Sequence, residues 1–308
     1  MMRPTDPSIS PAALSRILDG LEVSLPTTRK TLSEVTGLGR STVNRAVSAC
    51  LNHGILVSEA GHLLVSDNKF LLPVVTVTRE HGVIRVLNMD LTPIATSTVE
   101  LYPASPPEES ARLLARRLLT LLRGCGKGAV TAPVLVSDGA LPTHILENEL
   151  THALGQAPLT VVDEDQAVAR GIKGSPLSTE AESLLFASVG GGAHACLLLK
   201  DEEGIWHPST LGDNLTHTLL HTLHATESPE GVRRGMMAFL ADLCRFLCPD
   251  LILVEDGRSI LPDSEFYKPL LPDGVDVLVN HGDESLTVSE LGGALTGRRM
   301  LWDKILLG

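Results

Sequence analysis

Hydrophobic positions near the start of the chain fall first at helical spacing and then at strand spacing. In "PAALSRILDGL" the residues Ala13, Leu14, Ile17, Leu18 and Leu21 form one apolar stripe with Pro11 near its start, which predicts a short amphipathic helix. "LPTTRKTLSEVTGL" predicts a second helix, capped by Thr27 or Thr28, with Leu32 and Val35 facing inward and Gly37 at its end. In "STVNRAVSACLNHG" one face holds Val43, Ala46, Val47, Cys50 and Leu51 and the other Ser41, Asn44, Arg45, Ser48 and Asn52. Gly54 stops that helix. "ILVSEAGHLLVS" is two apolar runs around Glu59-Ala60-Gly61, the pattern of a two-stranded hairpin.

From Phe70 the pattern changes. "LLPVVTVTREHGVIRVLNMDLTPIATSTVEL" predicts three successive strands, with turns at Gly82 and at "DLTP". "SPPEESARLLARRLLTLLRGCG" predicts a long helix whose first turn carries prolines and acids, both suited to a positive helix end. Strand, helix, strand and helix follow in "APVLVSD", "THILENELTHALG", "APLTVVDED" and "QAVARGI". The order then repeats. "SLLFASVGGGAHACLLLKDEEGIWHPS" holds two strands, a long helical region reaches Leu247, "PDLILVEDG" and "VDVLVN" are strands, and "SELGGALTGRRMLWDKIL" is a closing helix.

Helix, helix, short turn, helix and hairpin is the order of a winged helix-turn-helix, where two helices cross steeply at a short turn. The outward face of the third helix is polar and basic, and no acid occurs from Arg40 to Gly54. Arg, Asn, Ser and Thr side chains donate to base edges and phosphates. The candidate DNA contacts are therefore Thr28, Arg29, Arg40, Ser41, Thr42, Asn44 and Arg45. A three-helix unit that binds protein gives the same pattern, and the helices alone leave that reading open. The segment resembles the winged helix at the N-terminus of many bacterial repressors.

Composition changes this picture in one respect. The 308-residue chain suits two or three packed units and has ordinary proportions, 43% apolar and 20% charged residues. Its net charge of −12 argues against nucleic acid until the chain is divided. Residues 1–72 carry seven Lys/Arg against six Asp/Glu, so the acidic surplus lies entirely in the remainder. Phosphate is repelled by that remainder, and a DNA contact belongs to the N-terminal piece. No apolar run reaches the length of a membrane span, and "MMRPTDPSIS" lacks the apolar segment of a signal peptide. The five cysteines (50, 125, 196, 244 and 248) are scattered without a CxxC pair, which fits free thiols in a reducing cytoplasm. A cytoplasmic protein with no membrane partner is expected.

The body's repeated order of strands and helices resembles the two-lobed actin-like (ribonuclease H-like) ATPase-type fold, two α/β lobes around a cleft. With a winged helix in front, the whole chain resembles the ROK family of sugar kinases and repressors. The clearest segments are "TLSEVTGLGRSTVNRAVSACLNHGILVSE", "IRVLNMD", "APLTVVDEDQAVARGI" and "LLFASVGGGAHACLLLKDEEG". The resemblance implies an α/β protein with a DNA-binding domain over 1–70. A first lobe over 71–165 would be completed by 289–308, and a second, dimer-forming lobe would span 166–288.

It also shows where the chain departs from a working kinase. The family's phosphate-binding turn needs an acid and glycines; here it reads "TREHG", with Thr78 or its neighbour at the Asp position. The family's catalytic Asp falls on Glu164, within Asp163-Glu164-Asp165-Gln166. The extra methylene misplaces the carboxylate by about an ångström, which can cost on the order of a hundredfold in rate. Gly190, Gly191 and Gly192 keep the second phosphate loop, where backbone N–H groups approach an anion. The adenosine-side Gly-Gly is replaced by Glu255-Asp256, two negative charges where a nucleotide would lie. The sugar-binding stretch and its zinc knuckle correspond to "LGDNLTHTLLHTLH", which has no cysteine. Asp213 is left for the carboxylate role there, and Thr216 or His217 for the histidine.

His217, His221 and His224 share one helix face, but no carboxylate or thiol is placed by sequence to complete a metal site, so a solvated or interface stripe is expected. The expected function is a transcriptional repressor that binds double-stranded operator DNA as a homodimer. Pairing would use the surplus apolar residues Leu219, Leu220, Leu223, Met236, Met237 and Phe239. The body would be a catalytically inactive, sugar-kinase-like effector domain. Its site for a sugar or sugar phosphate would include Glu164, Asp165, Gly190, Gly191, Gly192 and Asp213, with no cofactor and no metal. Two readings stand beside it: an active ROK-type sugar kinase with ATP-dependent phosphotransfer, and a scaffold that binds only protein.

Overall fold

Three capped helices and a hairpin open the chain. Helix α1 (Pro11–Ser24) starts where Ser10 Oγ accepts from Ala13 N, and α2 (Arg29–Thr36) where Thr28 Oγ1 accepts from Thr31 N. Gly37, at φ 63°, ends α2 in the left-handed conformation that glycine adopts without strain. Helix α3 (Arg40–Asn52) follows, then strands β1 (Leu56–Glu59) and β2 (His62–Val65), an antiparallel pair joined at Ala60-Gly61. A bridge between Thr27 and Leu63 ties the start of α2 to the hairpin.

The predicted stripes are the buried ones: Leu14, Ile17, Leu18 and Leu21 of α1, Leu32 of α2, and Val43, Ala46, Val47 and Cys50 of α3. Val35 is an exception. Expected to face inward, it is 54% exposed, and Thr36 takes the inner position, its hydroxyl donating to Leu32 O. Helix α1 crosses α2 at Gly20, where a side chain would collide with Thr36 and Leu32, so the crossing point chooses the buried face.

The computed structural model describes residues 9–66, 70–79, 81–102, 104–126, 129–130, 132–155, 157–173, 181–189, 193–224, 228–257, 259–281 and 286–307. After the hairpin come β3 (Phe70–Val77), β4 (His81–Leu87), β5 (Pro93–Glu100), α4 (Pro107–Gly124), β6 (Ala129–Val130), β7 (Val134–Ser137), α5 (Thr143–Ala153), β8 (Thr160–Asp163) and α6 (Glu164–Lys173). The second half repeats the scheme: β9 (Ser183–Val189), β10 (His194–Lys200), β11 (Trp206–Pro208), α7 (Gly212–His224), α8 (Pro229–Leu247), β12 (Leu251–Asp256), α9 (Ser264–Tyr267), β13 (Asp276–His281) and α10 (Val288–Leu307).

The two halves make two sheets of the same design. One runs β5-β4-β3-β7-β8, with β6 paired to the start of β3; the other runs β11-β10-β9-β12-β13. In each, the first three strands are antiparallel and the last two join in parallel. Helices α4 and α5 cover the first sheet with Leu114, Leu118, Leu146 and Leu150. Gly82 is required there by packing, because a side chain on it would overlap Leu114. Helices α7 and α8 cover the second sheet, and Leu219, Met236 and Phe239 are buried within that lobe's own core. This corrects the expectation that these three are surplus for a dimer contact.

Three boundaries also differ from expectation. Strand β8 ends at Asp163 rather than continuing to Asp165, because the Asp163 carboxylate accepts from Asp165 N and starts α6. The long helical region is two helices, the second begun by Ser228 Oγ accepting from Gly231 N. Strand β11 adds a third antiparallel strand to the second sheet.

Helices α6 and α10 exchange lobes. Helix α6 leaves the first sheet and packs Val168 and Ile172 against Leu184, Phe186 and Leu198 of the second. Helix α10 leaves the second sheet and lays Gly293 and Gly297 on Val74, Val134 and Val136 of the first. Where the two helices cross, a side chain on Gly171 would overlap Val288 O, and one on Gly292 would overlap Ala167 O. Only glycine fits this backbone-to-backbone contact.

The same two helices hold α1. Leu14, Ile17, Leu18 and Leu21 belong to one apolar cluster with Leu301, Trp302, Ile305 and Leu306 of α10. Around it, Arg170 of α6 makes bonds of 3.0 and 3.1 Å to Glu22, while Arg299 of α10 reaches Asp19 and Ser15 Oγ at 2.7 Å each. Arg298 lies over the Trp302 ring, and burial lowers its guanidinium to about 10. Among the described residues, no helix is long and apolar enough to cross a membrane.

Candidate functional site

The carboxyl ends of both sheets face one cleft of about 320 Å³. In open α/β sheets this is where ligands bind, since the strands end there and helices begin. Thr76, Thr78, His81 and Arg85 enter from β3, β4 and their turn, and Thr96 and Thr98 from β5. Asp138 follows β7, and Glu164 opens α6. From the second lobe come Ser188 and His194 on β9 and β10, Glu255 and Asp256 at the end of β12, Asn280 on β13, and Thr287, Ser289 and Glu290 at the start of α10. The wall is rich in hydroxyls, with carboxyl groups outnumbering cations.

The start of α10 is a reciprocal cap. Thr287 Oγ1 accepts from Glu290 N at 3.2 Å while Glu290 Oε2 accepts from Thr287 N at 2.9 Å. Arg85 pairs with the same Glu290 oxygen at 2.9 Å. The next amide, Val288 N, donates to Glu255 Oε1 at 2.6 Å. Burial nevertheless dominates at Glu255 and, with the nearby Glu290 and Glu164, pushes its carboxyl up to about 8. Glu255 is thus mainly neutral at pH 7. Asp256 turns toward its own loop, accepting from Leu261 N at 2.6 Å and lying 3.4 Å from His281 Nδ1. The expectation of two negative charges in the nucleotide position is corrected accordingly: burial leaves Glu255 largely uncharged, and loop contacts hold Asp256.

Glu164 and Asp138 are also raised, in both cases first by burial. His194 sits between Glu164 and Asp165: Nδ1 is 3.4 Å from Glu164 Oε2, and Nε2 is 2.9 Å from Asp165 Oδ1. Burial works against a charged imidazole there. Glu164, with help from Asp165 and Cys196, outweighs it and holds His194 well above its ordinary value.

Of the residues expected at the effector site, Glu164 lines the cleft and Asp165 lies beside it. Gly190, Gly191 and Gly192 lie outside the described residues. Asp213 is in the first turn of α7, its side chain outside the described set. Thr216 Oγ1 donates to Ala195 O and accepts from Ala195 N, stapling α7 to β10. His217 and His221 are exposed on α7, and the His224 side chain is not among those described. On the N-terminal unit Arg29, Arg40, Ser41, Asn44 and Arg45 are exposed, Thr42 is half-buried, and Thr28 is engaged as the cap of α2.

Sequence reasoning missed His194, Cys196, Arg85, Glu290 and Asp138. Two signals were available. The alternation in "HACLLLK" puts His194 and Cys196 on one strand face, and "TVSE" is a reciprocal-cap motif.

No protein-family model matches the sequence, and no curated protein matches it. Solved structures do. The crystal structure of a ROK family transcriptional regulator, a homologue of the E. coli MLC protein, superposes with a TM-score of 0.58 at 13% identity, covering 96% of this chain and 98% of that one. The chain has the ROK fold. An inorganic polyphosphate/ATP-glucomannokinase from Arthrobacter sp. strain KM matches at 0.52 and 14% identity, covering 75% of this chain and all of its own. A ROK family glucokinase from Streptomyces griseus, solved with glucose and AMPPNP, matches at 0.50 and 14% identity, covering 74% of this chain and 99% of its own. These identities establish a shared architecture and leave the role of this ROK-fold chain to its own residues.

Proposed function

We propose that this protein is a DNA-binding transcriptional regulator, a repressor whose N-terminal winged helix over 1–70 reads operator DNA through α3. The observation that carries the reading is the division of α3 into two faces. Val43, Ala46, Val47 and Cys50 are buried, while Arg40, Ser41, Asn44 and Arg45 are exposed with no acid among them. Two acids of the unit, Asp19 and Glu22, are matched by arginines of the body, which leaves its outer surface more basic.

The coverage of the similar structures supports the same reading. The regulator spans nearly all of this chain, whereas the kinases span about three quarters, and the remaining quarter is close in length to residues 1–70. The body is the effector and dimerisation part: residues 71–165 with 289–308 as one lobe, and 166–288 as the other. The cleft takes a sugar or sugar phosphate. Helices α6 and α10 start at the cleft and reach α1, α6 through Arg170 and α10 through its apolar seam, so a change in the cleft has a short path to the DNA-binding unit. Pairing of two chains places two recognition helices on half-sites about one helical turn, or a multiple of it, apart. Thr78 or its neighbour stands at the Asp position of the phosphate-binding turn and Glu164 at that of the catalytic Asp, which supports loss of phosphotransfer. The kinase reading draws on the body's fold alone.

The test has two arms. Genomic fragments selected by the full-length protein should give a discrete operator that Arg45→Ala binds about 1–3 kcal/mol more weakly. ATP-dependent phosphorylation of glucose, N-acetylglucosamine or N-acetylmannosamine on the order of 1 per second would overturn the reading in favour of a kinase.

A further inference from the structure

His194 and Cys196, two apart on β10, share a strand face, and Asp165 in the first turn of α6 meets them. One ligand atom from each lies within 4.8 Å of the other two. The group is shielded from water: the His194 and Asp165 side chains are 11% and 18% exposed, and Cys196 is fully buried. His194 Nε2, though 2.9 Å from Asp165 Oδ1, makes no hydrogen bond of sound geometry. A buried ring nitrogen is thus aimed at a carboxylate at ion-pair distance, with a thiol beside it. The other ring nitrogen, Nδ1, faces Glu164 Oε2 and Thr216 Oγ1 at 3.4 Å each. A carboxylate behind the imidazole is the usual arrangement for orienting a metal-binding histidine. Gly212 lies close against that carboxylate, and a side chain there would overlap Asp165 Oδ2.

We propose that Asp165, His194 and Cys196 bind a divalent ion of the zinc class in the wall of the cleft, with Glu164 as the positioning residue behind His194. One oxygen, one nitrogen and one sulfur suit zinc and its neighbours; magnesium and calcium take oxygen ligands. Three protein ligands leave a fourth position for water or for a group on a molecule in the cleft, which His194 lines. None of its three ligands belongs to the α7 segment 211–224, where the family resemblance would place a metal, although Gly212 and Thr216 of that segment touch Asp165 and His194. It is independent of DNA binding, so the two readings fail separately.

Cobalt(II) is the probe, because a thiolate ligand gives it a near-ultraviolet charge-transfer band and a tetrahedral site gives it intense visible bands. Full-length protein stripped with a chelator should take up one cobalt per chain with both signatures, and zinc should displace it. Cys196→Ser should abolish the charge-transfer band, whereas Cys125→Ser and Cys248→Ser should keep it. Glu164→Gln should keep the band and weaken zinc binding about 10–100-fold, and Asp165→Asn should weaken it at least as much. Melting curves establish that each variant is folded, and the partly exposed Asp165 carries the test if Cys196→Ser does not fold. The proposal is overturned if no charge-transfer band forms. It also falls if folded Cys196→Ser or Asp165→Asn binds like wild type, or if binding is lost only on changing His217 and His221.

Discussion

Two junctions hold this molecule together, and they are built from opposite materials. Between the lobes, α6 meets α10 at Gly171 and Gly292, backbone close against backbone. Between the body and the N-terminal unit, the same helices use long side chains: Arg170, Arg299 and Trp302 reach across to Glu22, Asp19 and the leucines of α1. Backbone contact has no rotamers and cannot adjust. Arginine pairs around an apolar seam can shift by one rotamer and re-form. The comparison assigns rigidity to the cleft's frame and adjustability to the joint beneath the DNA-binding unit.

The sharpest way to break the comparison is at the rigid junction. Gly292→Ala should cost more than about 4 kcal/mol or prevent folding, since the added methyl overlaps Ala167 O. Gly124→Ala, on α4 with nothing near its Cβ position, should be neutral or stabilise by about 0.4–1 kcal/mol. Thermal melts of the two variants test the difference, and equal destabilisation would remove the special role of the crossing.

At the adjustable joint, Glu22→Ala leaves Arg170 and the buried Arg298 without their shared acid. Because Arg170 is about a third exposed, the loss should be about 2–3 kcal/mol rather than the 3–5 of a fully buried pair. Protection of α1 amides should fall more than that of β3 or β12, which hydrogen exchange reads directly. A uniform loss across all three would mean that the joint is as stiff as the crossing.

The cleft itself gives a pH signature. Glu255, ordinarily near 4.5, holds its proton to about 8 in the folded protein. Between those values the folded state binds a proton that the unfolded state has released, so this group makes stability fall as pH rises, levelling off above 8. Glu255→Gln should flatten that part of the melting-temperature profile between about pH 5 and 9. An unchanged slope would place the titration elsewhere. The smallest expected effect on stability is at Arg45→Ala: within about 0.5 kcal/mol in melts, as for most exposed positions, while DNA binding weakens.

The α3 faces, the two rounds of strands and helices, and the starts of α1 and α2 were legible in the amino-acid sequence, because each is set by residues within a turn or two of one another. Val35 marks the limit of that reading: helical period placed it inward, and the crossing at Gly20 gave the inner position to Thr36 instead. The same holds for Leu219, Met236 and Phe239, apolar in any reading, whose burial in their own lobe depends on a sheet formed by distant strands. The chain's order of acids and histidines contained the site's chemistry without its grouping. Only the exchange of α6 and α10 between lobes brings Glu164, Asp165, His194, Glu255 and Glu290 to one cleft. Whether such a group is charged depends on the water and the neighbours it loses on folding. Those are properties of three-dimensional burial, which local sequence does not encode.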